Sequence, residues 1–266
     1  MSSAYSFTYQ FPLPREERAK PVAVPQPLVR EEVARLRESL AAVALQVTSG
    51  SELLRALEKN QRDERIRTTV PRLDALLHGG LARGKLIELT GRRSSGRFSA
   101  VLATLASATS CGEAAALIDL GDHFDPQAAE TAGVELPRLL WVRPEKLKDA
   151  VSSAEMAIST GFQLVVVDLG MHPVRGRRVP EAAWVRLARA AEAHGSAVLV
   201  SSPYAVSRTA SDAVVAAANA RPLWQGTRLT PRLLAGTTAR ITLEKHRHIR
   251  PGSVETMRFS VAERIR

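Results

Sequence analysis

Cysteine is almost missing from this 266-residue chain: Cys111 stands alone, so no disulfide can close within it. Long apolar runs are missing too. Stretches such as Leu164–Val167 reach the length of a strand, far short of the ~18 residues that cross a bilayer, so no membrane association is expected. The N-terminus shows no basic segment leading into an apolar stretch and a small-residue cleavage site. These absences predict a soluble protein of a reducing cytoplasm. Acids are in short supply, 27 against 37 Lys and Arg, which leaves a formal charge of +10. The shortage is sharpest from Arg221 to Arg266, where ten basic residues face three acids, Glu244, Glu255 and Glu263. Basic surfaces attract polyanions and release their counterions on binding, so DNA is the expected acidic partner.

What remains is enough for one main domain, with 45% hydrophobic residues to fill its core. Residues 1–27 read as a flexible tail, with five prolines between Pro12 and Pro27. Four of the chain's twelve aromatics precede them: Tyr5, Phe7, Tyr9 and Phe11, at a strand's period of two. Such a strand on a tether can add to a sheet edge of its own chain or of another copy, so self-association is one expectation. Residues 28–64 read as a helical extension. Val29, Val33, Leu36, Leu40 and Val43 fall at helical spacing over residues 28–47, and a second short helix runs from Ser51 to Asn60.

Residues 65–266 read as the core. Strands are expected at Leu86–Thr90, Ala114–Leu120, Leu139–Val142, Gln163–Leu169 and Ala197–Ser201, with helices at Ser95–Ser110, Glu145–Thr160 and Pro180–His194. A short helix should begin at Asp125 and Pro126, an N-cap followed by a proline at the first helical position. Alternating strands and helices with short connections require an α/β fold with a mostly parallel central sheet and helices on both faces. Arg240–Lys245 and Glu255–Val261 read as two antiparallel C-terminal strands joined through Pro251 and Gly252.

The chemistry-bearing motif follows the strand ending at Thr90: Gly91-Arg92-Arg93-Ser94-Ser95-Gly96-Arg97-Phe98-Ser99. Two glycines four residues apart, ahead of a helix, let backbone N–H groups wrap a phosphate at the positive end of the helix dipole. Gly91, Ser94, Ser95, Gly96 and Arg97, with Asp168 at the end of the apolar run Leu164–Val167, therefore outline a P-loop nucleotide site. Two elements of that site are missing. A working loop carries lysine and then serine or threonine after the second glycine, for the β- and γ-phosphates and for magnesium. Here Arg97 and Phe98 stand in their places. Arginine keeps the charge on a longer, planar head, whereas phenylalanine cannot ligate a metal. Ser99 offers a hydroxyl one residue late, turned by ~100°. The expected site is vestigial, with no catalytic residue, no metal and neither ATP nor magnesium as a working cofactor. His246 and His248 share a strand side, but two histidines without cysteine make a poor metal site.

The order of these signatures resembles the RecA core and, within that superfamily, is most similar to the ImuA family, RecA-related components of bacterial mutagenic repair. Thr68 to Gly84, with Pro71-Arg72-Leu73-Asp74 and Gly79-Gly80-Leu81, is similar to the lead into the first RecA strand. Ala116 to Pro126 resembles the segment bearing RecA's catalytic glutamate, and Gly121 occupies the glutamate's position, where no general base is possible. The strand ending Ser201-Ser202 lacks the polar amide that RecA uses to sense nucleotide. The resemblance implies a RecA-like accessory protein of the damage-induced SOS response. It would support translesion synthesis and mutagenesis by contacting a Y-family-like polymerase subunit (ImuB-like), DNA and RecA. It also implies DNA or partner contacts at Arg175, Arg177 and Arg178, beyond the Asp168 strand, and at Lys245, Arg247 and Arg250. Two other readings stay open: an active DNA-dependent ATPase or recombination mediator that binds ATP through Arg97, and a regulator of RecA filaments.

Overall fold

The computed structural model describes residues 65–171, 181–227 and 231–260. The tail 1–27, the helical extension 28–64, and Arg175, Arg177 and Arg178 lie outside the described residues. The described residues open with β1 (Arg65–Ile66), which pairs with β2 (Leu81–Ala82) across α1 (Pro71–Leu76). Pro71 opens α1, where its missing N–H costs nothing. Asp74 fixes the approach by accepting hydrogen bonds from Thr68 N and Thr68 Oγ1 at 2.9 and 2.8 Å.

There follow β3 (Leu86–Gly91), α2 (Arg97–Ser110), β4 (Ala115–Asp119), α3 (Pro126–Thr131) and β5 (Leu139–Val142). The chain continues through α4 (Leu147–Ser159), β6 (Leu164–Asp168), α5 (Glu181–His194) and β7 (Ala197–Ser202). It closes with β8 (Ala213–Gln225), β9 (Leu233–His246) and β10 (Val254–Ser260). Among the described residues eight strands form one sheet in the order β10-β9-β8-β3-β7-β6-β4-β5. From β8 to β5 neighbouring strands are parallel; β9 and β10 are antiparallel.

Every residue of β3, β4, β6 and β7 is buried, because helices cover both sheet faces there. Ile87, Leu89, Leu117, Val166 and Leu199 pack with Val101 and Leu105 of α2. Leu86, Ile118, Val165, Val167 and Val200 pack on the opposite side with Val151 and Ile158 of α4 and Trp184 and Leu187 of α5. Asp125 caps α3 as expected, accepting from Gln127 N and Ala128 N at 2.9 and 3.3 Å.

Two expectations need correction. The helix expected from Ser95 begins at Arg97, because Ser94 (φ 56°) and Gly96 (φ 81°) take left-handed conformations that close the loop and admit no helical turn. The antiparallel extension is longer than two short strands. It includes β8, absent from the sequence-based reading because its Ala-rich stretch and Pro222 carry weak strand propensity. Pro222 is tolerated because β8 pairs with β3 only from Ala213 to Ala217; beyond that, β9 is its one partner among the described residues.

Candidate functional site

The loops after β3, β4 and β6 converge at the C-terminal edge of the parallel strands, where α/β sheets place ligands. The first is the phosphate loop. Gly91 is buried at the end of β3, and a Cβ there would lie 2.3 Å from Ser95 Oγ and 2.9 Å from the Ala217 carbonyl. Ser95 is thus folded beneath the loop, its hydroxyl buried without a hydrogen-bond partner, while Ser94 is exposed. Gly96 meets the C-terminal strands: a Cβ would lie 3.1 Å from Met257 Cε and 3.2 Å from Phe259 Cε2.

Arg97 does not reach outward over the loop. Its side chain is 1% exposed and crosses beneath the loop to β6. There Nη2 donates to the Gly170 carbonyl at 2.6 Å and contacts Met171 Sδ at 3.4 Å. The same nitrogen lies 3.8 Å from Asp168 Oδ1, also on a side chain 1% exposed. Nε and Nη1 are buried and have no hydrogen-bond partner among the described residues. Burial lowers the guanidinium pKa from its usual value, against the pull of Asp168. Burial likewise raises the Asp168 carboxyl above the ordinary carboxylate range, although Ser201 Oγ donates to Oδ1 at 2.6 Å and Arg97 stands close. Phe98 packs partly buried against the apolar core.

The β4 loop is closed against the β6 loop. A Cβ on Gly121 would lie 2.5 Å from Gly170 Cα and 2.4 Å from His123 Nδ1. The position to which the resemblance to RecA assigns a glutamate therefore leaves no space for a side chain unless its neighbours shift. Asp122, one residue on, points outward to an exposed, two-point ion pair with Arg143, at 2.7 and 2.9 Å. That pair holds the Asp122 carboxyl below its ordinary pKa.

Asp119, His123 and Asp168 bring ligand atoms within 4.8 Å of one another. They do not fit magnesium, which demands six oxygen donors in near-octahedral array. Asp119 already accepts from His123 N, Phe124 N and Trp141 Nε1, at 3.2, 3.0 and 3.3 Å. Asp168 is taken by Ser201 and faces a guanidinium that supplies the positive charge a metal would bring.

The second group of sequence-derived residues lies at the opposite edge of the sheet, since β9 runs antiparallel and pairs His246 with Ala213 at the start of β8. Lys245 Nζ donates to the Arg208 carbonyl, the Ser211 carbonyl and Ser211 Oγ, at 2.7, 2.6 and 3.2 Å. Its three protons are engaged within the chain, and burial lowers its pKa. Arg247 is exposed beside Asp212 and Thr209, at a cleft of about 360 Å³ that also includes Lys85, Arg189 and Glu192. Arg250 is exposed. The loop residues and the Lys245 group are thus separate features.

Sequence reasoning missed Glu88. This carboxylate in the middle of β3 is 0% exposed and accepts from Ser202 Oγ (3.2 Å), Val206 N (2.6 Å), Ser207 N (3.2 Å) and Ser207 Oγ. It pins the connection between β7 and β8 to the sheet. The available signal was a lone acid inside Leu86-Ile87-Glu88-Leu89, since an unpaired charge is not tolerated in a buried strand.

Comparison with known proteins agrees with this fold. The chain is similar to Protein RecA of Leifsonia xyli subsp. xyli, 33% identical over 147 residues, 54% of this chain and 41% of that protein. It is also similar to Protein RecA of Kineococcus radiotolerans, 35% identical over 147 residues, 54% of this chain and 42% of that protein. The chain thus spans about two fifths of the length of these curated relatives. A crystal structure of the RadB recombinase shares the fold, with a TM-score of 0.54 at 20% identity, covering 72% of this chain and 94% of that one. Residues 35–174, more than half of the chain, match the RecA N-terminal domain, and this chain belongs to that family.

Proposed function

We propose that this chain is a RecA-type accessory protein of DNA recombination and repair that works through protein and DNA contacts without turning over ATP. The observation that carries this reading is the seat of Arg97. The side chain that would greet the β- and γ-phosphates is instead buried under the loop, as the counter-charge of Asp168. Phe98 gives magnesium no ligand, and the Gly121–Gly170 contact leaves no space for a base. Phosphoryl transfer rests on positioning and charge stabilisation, and each departure removes one of those supports.

In its narrower form the proposal is ImuA-like: support of damage-induced translesion synthesis alongside a Y-family-type polymerase subunit, with RecA as a second partner. The three departures at Arg97, Phe98 and Gly121 motivate it, and co-purification with such a polymerase subunit tests it. Steady-state ATP hydrolysis with single-stranded DNA tests the broader proposal. No turnover above background is expected; turnover abolished by Asp168→Ala would overturn it.

A second reading is an ATP-binding recombinase or recombination mediator, and two observations favour it. The relatives' names, RecA and RadB recombinase, stand closer to it than to the ImuA-like form. Ser95 Oγ and Arg97 Nε and Nη1 are also buried without partners, and unmet donors at a phosphate loop are what a bound anion would satisfy. Calorimetry with ATP separates the readings: magnesium-dependent binding heat selects the second, and its absence supports the first.

A further inference from the structure

The three C-terminal strands carry a surface that the loop site does not use. Once β8 parts from β3 after Ala217, β8, β9 and β10 continue as a ribbon. One ribbon face is core, with Ala239, Ile241 and Met257 buried. The other holds two in-register rows, Arg221–Thr238–Arg258 and Ala218–Arg240–Thr256. Residues directly opposite one another share a sheet face, so the three arginines form a triangle across three strands. Ala218, Arg221, Arg240, Thr256 and Arg258 are all exposed.

Among the described residues this charge is uncompensated. Arg240 stands diagonal to Arg221 and Arg258, a spacing long side chains can reach across, so the three like charges repel. Among the described residues none of the three arginines has an ion pair or hydrogen bond. Glu255 of β10 is paired in register with the core residue Ile241 and meets Arg72 at 3.4 Å, away from this face. Glu244 lies farther along β9, beyond Thr242. At the ribbon's far end Trp224 is 55% exposed opposite Leu234 at 45%. Exposed aromatic area beside unpaired arginines suits a ligand that has both anionic groups and flat rings. Single-stranded DNA has both: phosphates that take guanidinium N–H donors, and unpaired bases that stack on an indole. A duplex keeps its bases stacked within and offers none to Trp224.

We propose that this ribbon is a platform for single-stranded DNA, with Arg221, Arg240 and Arg258 of its outer face on phosphates and Trp224 at its far end beneath a base. It rests on the DNA-contact reading above and assigns that contact to a surface.

The test is fluorescence anisotropy of a labelled oligothymidylate titrated with the full chain across a salt series. Each phosphate contact to a single strand contributes about 0.7 to the slope of log affinity against log salt. The triple variant Arg221→Gln/Arg240→Gln/Arg258→Gln is therefore expected to bind more weakly, with the slope reduced by about 2. Trp224→Ala should weaken binding about 5- to 100-fold and leave the slope unchanged, because stacking is uncharged. Melting curves matching the parent chain show that the variants are folded. If the parent binds and the folded triple variant binds equally well with the same slope, the platform is wrong while the DNA-contact reading stands. If the parent binds no DNA, both fall. Preference for duplex over single strand, or equal affinity for poly-glutamate, overturns the single-strand assignment.

Discussion

Replacing Arg97 by methionine keeps an unbranched stem in place and removes the buried charge. Arg97 Nη2 stands 3.8 Å from Asp168 Oδ1 with both side chains 1% exposed. At an effective dielectric of ~20, unit charges at that distance attract by ~4 kcal/mol. Desolvation of both ions opposes that attraction, and two guanidinium nitrogens go unpaired, so the intact pair adds little over an apolar one. Removing one partner is different, because it strands the other charge at a cost of ~3–5 kcal/mol. Arg97→Met is therefore expected to lose about 3 kcal/mol of stability at neutral to alkaline pH. Asp168 can escape part of this cost by taking up a proton. Burial already raises its folded pKa, and losing Arg97 raises it further. For an acid so raised, stability is complete below the unfolded pKa of ~3.9 and is lost as pH rises through the folded value. The deficit of Arg97→Met should accordingly shrink as the solution is acidified. Adding Asp168→Asn removes the stranded charge and keeps an acceptor for Ser201, so at alkaline pH the double variant should be more stable than Arg97→Met alone. Urea unfolding of the four proteins as a double-mutant cycle should give a coupling of ~2–4 kcal/mol that falls on acidification. Additivity to within ~0.5 kcal/mol, or a deficit independent of pH, would refute the assignment of Arg97 as counter-charge.

Glu88→Ala leaves Val206 N, Ser207 N and Ser207 Oγ without their acceptor; at ~1–3 kcal/mol for each such group, a loss of at least ~3 kcal/mol is expected, with faster proteolysis between residues 203 and 212. Gly121→Glu, alone or with Arg97→Lys and Phe98→Thr, should release no phosphate from ATP and should cost ~1–3 kcal/mol, because its Cβ meets the Gly170 backbone. A phosphate-release assay and a melting curve check both halves. His246 Nδ1 accepts from His248 N and Ile249 N at 3.0 and 3.2 Å, which requires a neutral ring, and burial lowers its pKa. Stability from this turn should be complete above the unfolded value of ~6.5 and decline as pH falls through the folded one. Amide exchange at residues 248 and 249 should rise over that window, and His246→Gln should abolish the dependence.

Much of the fold was legible because its strands are short apolar runs between helical periods. Leu164–Asp168 is buried on both faces and reads as such, and the Asp125-Pro126 pair marked its helix to the residue. β8 was not legible, since Ala213–Gln225 is held by β3 and β9 and not by its own propensity. The replacements at Arg97 and Phe98 could be read in the loop, but the direction in which Arg97 points could not. Glu88 carried a faint local signal, whereas its partners lie more than a hundred residues away.

Residue identity alone excluded a metal-ligating hydroxyl after the loop and a general base at Gly121, because no conformation gives phenylalanine or glycine those chemistries. Chain composition alone also placed the excess of positive charge in the C-terminal strands. Only the packed structure turned Arg97 toward Asp168, pressed Gly121 onto Gly170 and set Arg221, Arg240 and Arg258 on one face of three strands. Those arrangements join residues far apart in the chain, and contacts of that kind are chosen by sheet order and register, which no local stretch of sequence contains.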